Sequence, residues 1–459
     1  MNGTAKLAIM ILAAGEGTRM RSALPKVLQP LAGRPLLSHV VATARSLTPD
    51  TLFVVYGHGG ELVRDAIVDD EIVWVHQPEQ LGTGHAVDLA MPGIDADATV
   101  LILYGDVPLI LPATLDRLVV ASQAGLAILS AELPDPSGYG RILRDGAGSV
   151  TGIVEHKDAD EAQRKIREIN TGLLAAPAAL LNGWLGRLSN DNTQGEYYLT
   201  DVVAMAVKDG IRVKTIQPEE AKEIMGINDK IQLAEAETAN RLRQAHRLMQ
   251  QGATIVDPAR VDIRGNVECG KDVVLDVNVV LEGDVKLGDG VKIGPNNVIR
   301  NTTIADDTEI EPNCVIEDAE IGPRCMIGPF TRIRPGTKLD ERVKLGNFVE
   351  VKKSHIAAGS KVNHLSYIGD TTMGSDVNIG AGTIVCNYDG VRKHQTIIGD
   401  DVFVGSDVQL VAPVTIGRGA TVGAGSTITK DVPEDDLALS RVRQVTVKNW
   451  KRPRKADVT

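Results

Sequence analysis

Two hydrophobic periods divide this chain. From about residue 255 onward, aliphatic side chains recur at every sixth position. Ile321, Ile327, Ile333, Leu339, Leu345 and Val351 form one unbroken run, and Ile398, Val404, Leu410, Ile416, Val422 and Ile428 form another. Neither the 3.6-residue period of a helix nor the two-residue alternation of a strand gives a step of six. A hexapeptide repeat builds a parallel β-helix whose inward aliphatics stack coil upon coil. Glycine often follows the aliphatic, as in Ile293-Gly294, Ile327-Gly328 and Val404-Gly405, where a tight corner needs backbone freedom. Three hexads close one coil of the left-handed form, so residues 255–430 predict about nine or ten coils. The period breaks between Val385 and Ile398. There Cys386-Asn387-Tyr388-Asp389-Gly390-Val391-Arg392-Lys393 is too long for a corner and predicts a protruding loop, a common place for a site.

Upstream the pattern changes. Residues 7–12 are apolar on both faces and read as a buried strand, ended by Ala13-Ala14-Gly15. Further strands are expected at 52–56, 72–75, 100–104 and 126–130, with helical stretches between several of them. This alternation predicts an α/β, Rossmann-like domain with its ligand at the carboxyl ends of a mostly parallel sheet. Between the halves, Leu233, Ala236, Ala239, Leu242, Ala245 and Met249 fall three or four apart, and Gly252 stands where a C-cap belongs. The predicted organisation is a domain over 1–229, a helical linker over 230–251 and a β-helix with its tail over 252–459.

Composition sharpens this picture in a few places. Aromatics are only 3% of the residues, whereas 46 are glycine, as expected if one half is cored by stacked aliphatics. The net charge of −11, from 49 basic and 60 acidic residues, argues against nucleic-acid binding but leaves room for a local phosphate pocket. Residues 1–6 lack the basic start and apolar core of a signal peptide, and no run reaches the roughly 20 apolar residues that span a bilayer. The four cysteines lack CxxC spacing and read as free thiols, so a cytoplasmic location is expected. His355, His364 and His394 form no tight zinc-type pair.

The chemistry starts at Gly15-Glu16-Gly17-Thr18-Arg19-Met20, followed by Leu24-Pro25-Lys26. This loop lacks the third glycine of a dinucleotide fingerprint and the GK[ST] ending of a P-loop. It offers backbone N–H groups with Arg19 and Lys26 as point charges, which suits a triphosphate. Gly105-Asp106 ends the strand at 100–104 and places a carboxylate at the mouth of the sheet, where a phosphate site needs a divalent cation.

The string LAAGEGTRM…LPK is similar to the signature of sugar-phosphate nucleotidyltransferases. With the hexads, the whole chain resembles the bifunctional enzymes that acetylate glucosamine-1-phosphate and couple the product to a uridine nucleotide, giving UDP-N-acetylglucosamine, coenzyme A and pyrophosphate for cell-wall precursors. The resemblance implies that Leu12, Ala13, Ala14 and Gly15 meet the nucleotide, and that Gln77, Gly82 and Thr83 read uracil. By the same resemblance Tyr104, Gly105, Gly140, Glu155 and Asn170 serve the nucleotide and sugar, Asp106 and Asn228 ligate Mg²⁺, and Arg19 and Lys26 act on the phosphates. In the β-helix it implies His364 as general base with Glu350 as a partner. Tyr388 and Asn387 would take oxyanion and orienting roles. Arg334, Lys352, Tyr367, Asn378 and Lys393 would bind the sugar phosphate, and Ala381, Asn387, Tyr388, Ser406, Ala424 and Arg441 acetyl-coenzyme A. Simple alternation points His364 inward with Val362 and Ile368, and only the resemblance turns it outward. Members of this family are homotrimers that use acetyl-coenzyme A and UTP as co-substrates. The basic tail at 448–455, with Trp450, is expected either to reach coenzyme A phosphates or to be solvated.

Overall fold

The structure is a computed structural model and describes residues 6–57 and 59–452. Met1 to Ala5 and the tail residues Pro453, Arg454 and Lys455, on which two of the expectations above fall, lie outside the described residues. The chain forms two compact units, Met1–Asn240 and Arg241–Thr459. The helix Lys230–Gln250 crosses that division. Its Leu233, Ala236 and Ala239 pack with Met20, Leu31, Leu36, Leu109 and Ile227 of the first unit, whereas Ala245 and Leu248 join the core of the second.

The first unit is built on a nine-stranded sheet. Its strands are β1 (Leu7–Ala13), β2 (Thr51–Tyr56), β3 (Ile72–His76), β4 (Thr99–Tyr104), β5 (Leu126–Glu132), β6 (Gly140–Arg144), β7 (Val150–Val154), β8 (Glu168–Pro177) and β9 (Val213–Ile216). The order is β9-β5-β8-β4-β1-β2-β3, with the β6–β7 hairpin paired to β8. β1 runs parallel to both β2 and β4, while β8 is antiparallel to β4 and β5. Alternate β1 side chains feed two separate cores: Ile9, Ile11 and Ala13 on one face, and Ala8, Met10 and Leu12 on the other. That is why the segment reads as continuously apolar. β1 and β4 therefore deliver residues 13–15 and Asp106 to the same edge of the sheet.

The second unit is a parallel solenoid of two- and three-residue strands. One of its sheets contains eleven strands, from Thr254–Ile255 to Leu437–Ala438, slightly more rungs than the hexad count predicts. A single column of Ile, Val and Leu fills the axis. Between the two ends of the solenoid, coils mostly advance by 17 or 18 residues, as from Lys344 to Lys361 and from Met326 to Lys344. The one large exception is the step of 25 from Asn378 to Phe403 (403 − 378), which contains the predicted loop. At one corner the backbone is left-handed on coil after coil: Asn278, Asn296, Asn313, Phe330, Phe348 and Leu365 all have positive φ. Asn tolerates that conformation and stacks its amides, with Asn278 Nδ2 donating to Asn296 Oδ1 at 2.8 Å.

Candidate active sites

The first site is a cavity of about 340 Å³ at the carboxyl ends of β1 and β4. Leu12, Ala13, Ala14, Gly15, Lys26, Gln77, Gly82, Thr83, Tyr104 and Asp106 line it, so ten of the expected residues meet in one place. Sequence reasoning missed Val27, Gln80, Ala86 and Glu196, which also line it. Gln80 Nε2 donates to the Ala14 carbonyl at 2.8 Å and so ties the two loops together. Nothing about a glutamine in a loop announces that bond before the fold is known. The segment carrying Gly82 is clamped by the chain around residue 197: Tyr197 N donates to Leu81 O, and Gly84 N to Tyr197 O, both at 2.8 Å. A Cβ on Gly82 would lie 2.6 Å from the Tyr197 carbonyl, so only glycine fits there.

Asp106 and Asn228 come together through the backbone, where Ile227 N donates to Asp106 O at 2.9 Å. The buried Glu223 carboxylate holds the preceding turn, accepting from the N–H groups of Glu219 and Glu220 at 2.9 and 3.0 Å. Lys26 Nζ reaches Asp106 Oδ2 at 2.5 Å and Asn228 Oδ1 at 3.1 Å, and Arg19 Nη2 reaches the same Asn228 oxygen at 2.9 Å. Two oxygens thus converge on one cationic point, and Gly226 borders both side chains, since a Cβ there would lie 3.8 Å from Asn228 Nδ2 and 3.9 Å from Asp106 Oδ2. This donor set fits Mg²⁺, which takes one or two protein oxygens and fills its remaining positions from water and substrate phosphates.

Beside the cavity, Gly140 and Asn170 are cross-strand partners. A Cβ on Gly140 would meet the Glu155 carboxylate at 3.4 Å, so the three expected sugar-facing residues are neighbours. Thr200 Oγ1 donates to Glu155 at 3.1 Å. Burial pushes the Glu155 carboxyl above its ordinary value, the Thr200 bond opposes this, and Asp158, Asp201 and Glu196 add to the rise. Tyr104 links this group to the cavity. Its ring lies over Gly172, and its phenol is raised well above the usual range by burial first and then by Glu155 and Asp106.

The second unit holds two groups separated by a corner. His364 is exposed and Leu365 turns the corner with positive φ, so Ser366 takes the inward place that alternation assigned to His364. The imidazole Nδ1 lies 2.9 Å from Asn347 Oδ1, its register partner one coil earlier. The pairing of His364 with Glu350 is corrected here. Glu350 stacks on Tyr367 rather than on His364, and its carboxylate accepts from Arg334 Nη1 at 2.9 Å. Gly382 N donates to His364 O, Asp407 N to Ala381 O and Gly425 N to Ser406 O, so Ala381, Ser406 and Ala424 climb the corner from His364. Arg441 lies next to Gly425.

Around the corner, Arg334, Glu350, Lys352, Tyr367, Asp370, Asn387 and Lys393 cluster. Asn387 Nδ2 donates to Asp370 Oδ2 at 2.5 Å and to Tyr367 Oη at 3.4 Å. Lys352 Nζ lies 3.8 Å from the same Asp370 oxygen. Lys352, through its side-chain hydrogen bond first and its charge second, lowers the ammonium pKa of Lys393. Asn378 does not join them: it stacks between Lys361 and Phe403 on a different sheet. The loop itself is a hairpin in which Tyr388 bridges Lys393 and donates its hydroxyl to Gly390 O at 2.5 Å. Among the described residues no cluster of three or more His, Cys, Asp or Glu could hold a metal ion, and no helix is long and apolar enough to cross a membrane.

Comparison with known proteins agrees with this division. Residues 9–157 match the MobA-like NTP transferase domain, residues 263–345 the GMPPB C-terminal domain, and residues 395–430 six bacterial transferase hexapeptide repeats. The bifunctional protein GlmU of Nitrosospira multiformis is 58% identical over 98% of this chain and 98% of its own. That of Nitrosomonas eutropha is 57% identical over 97% and 98%, and that of Azoarcus sp. 57% over 97% and 99%. The chain belongs to the bifunctional GlmU family. It is an enzyme with a nucleotidyltransferase domain and a hexapeptide acetyltransferase domain. As a GlmU-family member it acetylates glucosamine-1-phosphate with acetyl-coenzyme A and transfers uridylyl from UTP to N-acetylglucosamine-1-phosphate.

Proposed function

We propose that each reaction runs on the residues gathered in its own unit, with Asp106 and Asn228 holding Mg²⁺ in the first. The convergence of the Asp106 and Asn228 oxygens on Lys26, at 2.5 and 3.1 Å, is the observation that carries this reading. When bound, the ion neutralises phosphate charge. In the 340 Å³ cavity the backbone of residues 12–15 lies along the nucleotide, Gln77, Gly82 and Thr83 meet the base, and Arg19 and Lys26 steady the phosphates. Gly140, Glu155 and Asn170 hold the sugar, with Tyr104 and Gly105 between the two ligands. The sugar-phosphate oxygen attacks the α-phosphorus in line. A new P–O bond forms as the bond to the bridging oxygen breaks, and pyrophosphate leaves with that electron pair.

In the second unit, Asn347 Oδ1 faces His364 Nδ1, so the ring proton sits on Nδ1 and Nε2 is free to accept. Nε2 takes a proton from the amine of glucosamine-1-phosphate as the nitrogen attacks the thioester carbonyl. The C–S bond then breaks and coenzyme A leaves as thiolate, with Tyr388 turning its hydroxyl from Gly390 O toward the developing oxyanion and Asn387 in the orienting role. Arg334, Lys352, Tyr367 and Lys393 bind the sugar phosphate, Ala381, Ser406, Ala424 and Arg441 the cofactor. A homotrimer, in which Asn378 of one protomer completes the site of another, accounts for that residue's separation from the Tyr367 cluster. Small molecules are the substrates, and a cytoplasmic location accords with acetyl-coenzyme A and UTP as the donors.

The test is an assay of the purified protein with glucosamine-1-phosphate, acetyl-coenzyme A, UTP and Mg²⁺, following thiol and pyrophosphate separately. Both should appear, with pyrophosphate dependent on acetyl-coenzyme A and on Mg²⁺. Pyrophosphate release that survives chelation would remove the metal from Asp106 and Asn228.

A further inference from the structure

The loop that faces the base contains a polar contact that the reaction scheme leaves unused. Gln77 is buried, and its backbone N–H is committed to Tyr56 O at 2.8 Å. Its side-chain Nε2 lies 3.2 Å from Gly82 O and 3.2 Å from Nδ1 of His85, which sits on the helix Thr83–Ala90 behind the loop. A backbone carbonyl can only accept, so the nitrogen end of the amide must face Gly82. The second N–H of that amide then points at His85, which must accept through Nδ1 and carry its own proton on Nε2. The two acceptors together leave Gln77 Oε1 as the end turned to the nucleotide cavity that Gln77 lines. The Gly82 carbonyl is held in place because the Tyr197 backbone clamps the residues on either side of it, Leu81 and Gly84, at 2.8 Å each. The His85 ring is half-buried and also borders a separate cavity of about 360 Å³ with Asp88, Leu188 and Tyr197, where Nε2–H has room to donate.

We infer that His85 is a positioning residue for base choice, holding the Gln77 amide with its carbonyl oxygen outward so that the cavity accepts uracil and rejects cytosine. This rests on the reading of Gln77 as base-facing. Uracil presents a donor at N3–H, which an outward carbonyl oxygen accepts. Cytosine presents a lone pair at N3, and two lone pairs meeting in a desolvated pocket repel. Without His85, one amide hydrogen loses its acceptor and the amide, still kept from turning over by Gly82 O, is held by one bond instead of two, so its oxygen meets the N3–H of uracil less well and the selective contact weakens. A buried hydrogen bond of this kind is expected to change discrimination by about tenfold.

The experiment compares kcat/KM for UTP and CTP, by pyrophosphate release with N-acetylglucosamine-1-phosphate, in the full-length protein and three variants. In His85→Ala the UTP:CTP ratio should narrow by about tenfold, mostly through a loss on UTP. His85→Asn, whose Oδ1 places an acceptor near that of Nδ1, should recover most of the ratio. Gln77→Ala should narrow it at least as far. His85→Leu, similar in bulk and without an acceptor, replaces the alanine variant should that one not fold. A ratio that collapses in Gln77→Ala but stays intact in the acceptor-less His85 variants overturns the inference and leaves the base reading standing. A ratio unchanged in all of them overturns the base reading and the inference together. An equal loss on UTP and CTP in His85→Ala would reduce the residue to packing.

Discussion

At the residue scale, Glu155 shows how the site works against the fold. Its carboxyl is raised chiefly by burial, so the shift has a definite sign. Above the raised folded pKa both folded and unfolded chains carry the charge, and burying it costs the folded state. As pH falls through the folded pKa, the native chain takes up a proton before the unfolded chain does, and stability recovers. Glu155→Gln keeps an acceptor for Thr200 and removes the charge. The first unit of that variant should therefore melt higher than the wild type at pH 8, with the gap closing near pH 5, while KM for N-acetylglucosamine-1-phosphate rises about tenfold. Calorimetry at the two pH values decides this, and a variant less stable at pH 8 would mean that the charge is stabilising where it sits. His364 marks the limit of what single residues reveal. Alternation pointed it inward, and only the left-handed corner at Leu365 turns it out. Its partner was not legible either. A coil of three hexads pairs His364 with the residue 18 earlier, Gly346, which has no side chain to offer. The real step is 17, which selects Asn347.

At the scale of elements, the break in the hexad period located the loop, but not its form. It is a closed hairpin organised around one carboxylate. Asp389 accepts from Val391 N at 2.8 Å, from Arg392 N at 2.6 Å and from His394 Nε2 at 2.7 Å. The Arg392 backbone bond, followed by the His394 and Val391 bonds, holds its carboxyl far below the usual range. A depressed carboxyl contributes stability above its unfolded pKa and loses it only as pH drops toward the folded value. The hairpin should therefore stay ordered throughout the working range of the acetyl transfer, and any acid loss of that activity must come from another group. Asp389→Asn weakens these bonds to neutral ones. Because the loop carries Asn387 and Lys393, acetyl transfer should fall about tenfold, mainly through KM for glucosamine-1-phosphate, with uridylyl transfer unchanged. A loss confined to kcat would assign the loop to the thioester rather than to the sugar phosphate.

At the scale of the whole molecule, the two periods separated the two architectures, since a step of six and an α/β alternation have different packing solutions. What stayed hidden was the set of side chains that tie loops to one another, such as Gln80, His85 and Glu223, because each joins segments that meet only after folding. The two units have separate cores, so their chemistries should be separable by substitution. Asp106→Ala should lose uridylyl transfer by about 10²-fold or more and keep acetylation. His364→Ala should lose acetylation by about 10²-fold or more and keep uridylyl transfer. Mixing the two variants is then more informative than either alone. If N-acetylglucosamine-1-phosphate leaves the second unit and re-enters the first from bulk solvent, the mixture forms UDP-N-acetylglucosamine after a lag. That lag should shorten as the His364→Ala share of the mixture is raised, because uridylyl transfer then captures the intermediate at a lower bulk concentration. Added phosphatase that destroys the free intermediate should abolish the signal. If instead the wild type resists that phosphatase and the mixture stays silent, the intermediate passes between sites without release, and independence of the two units would hold for their folds but not for their traffic.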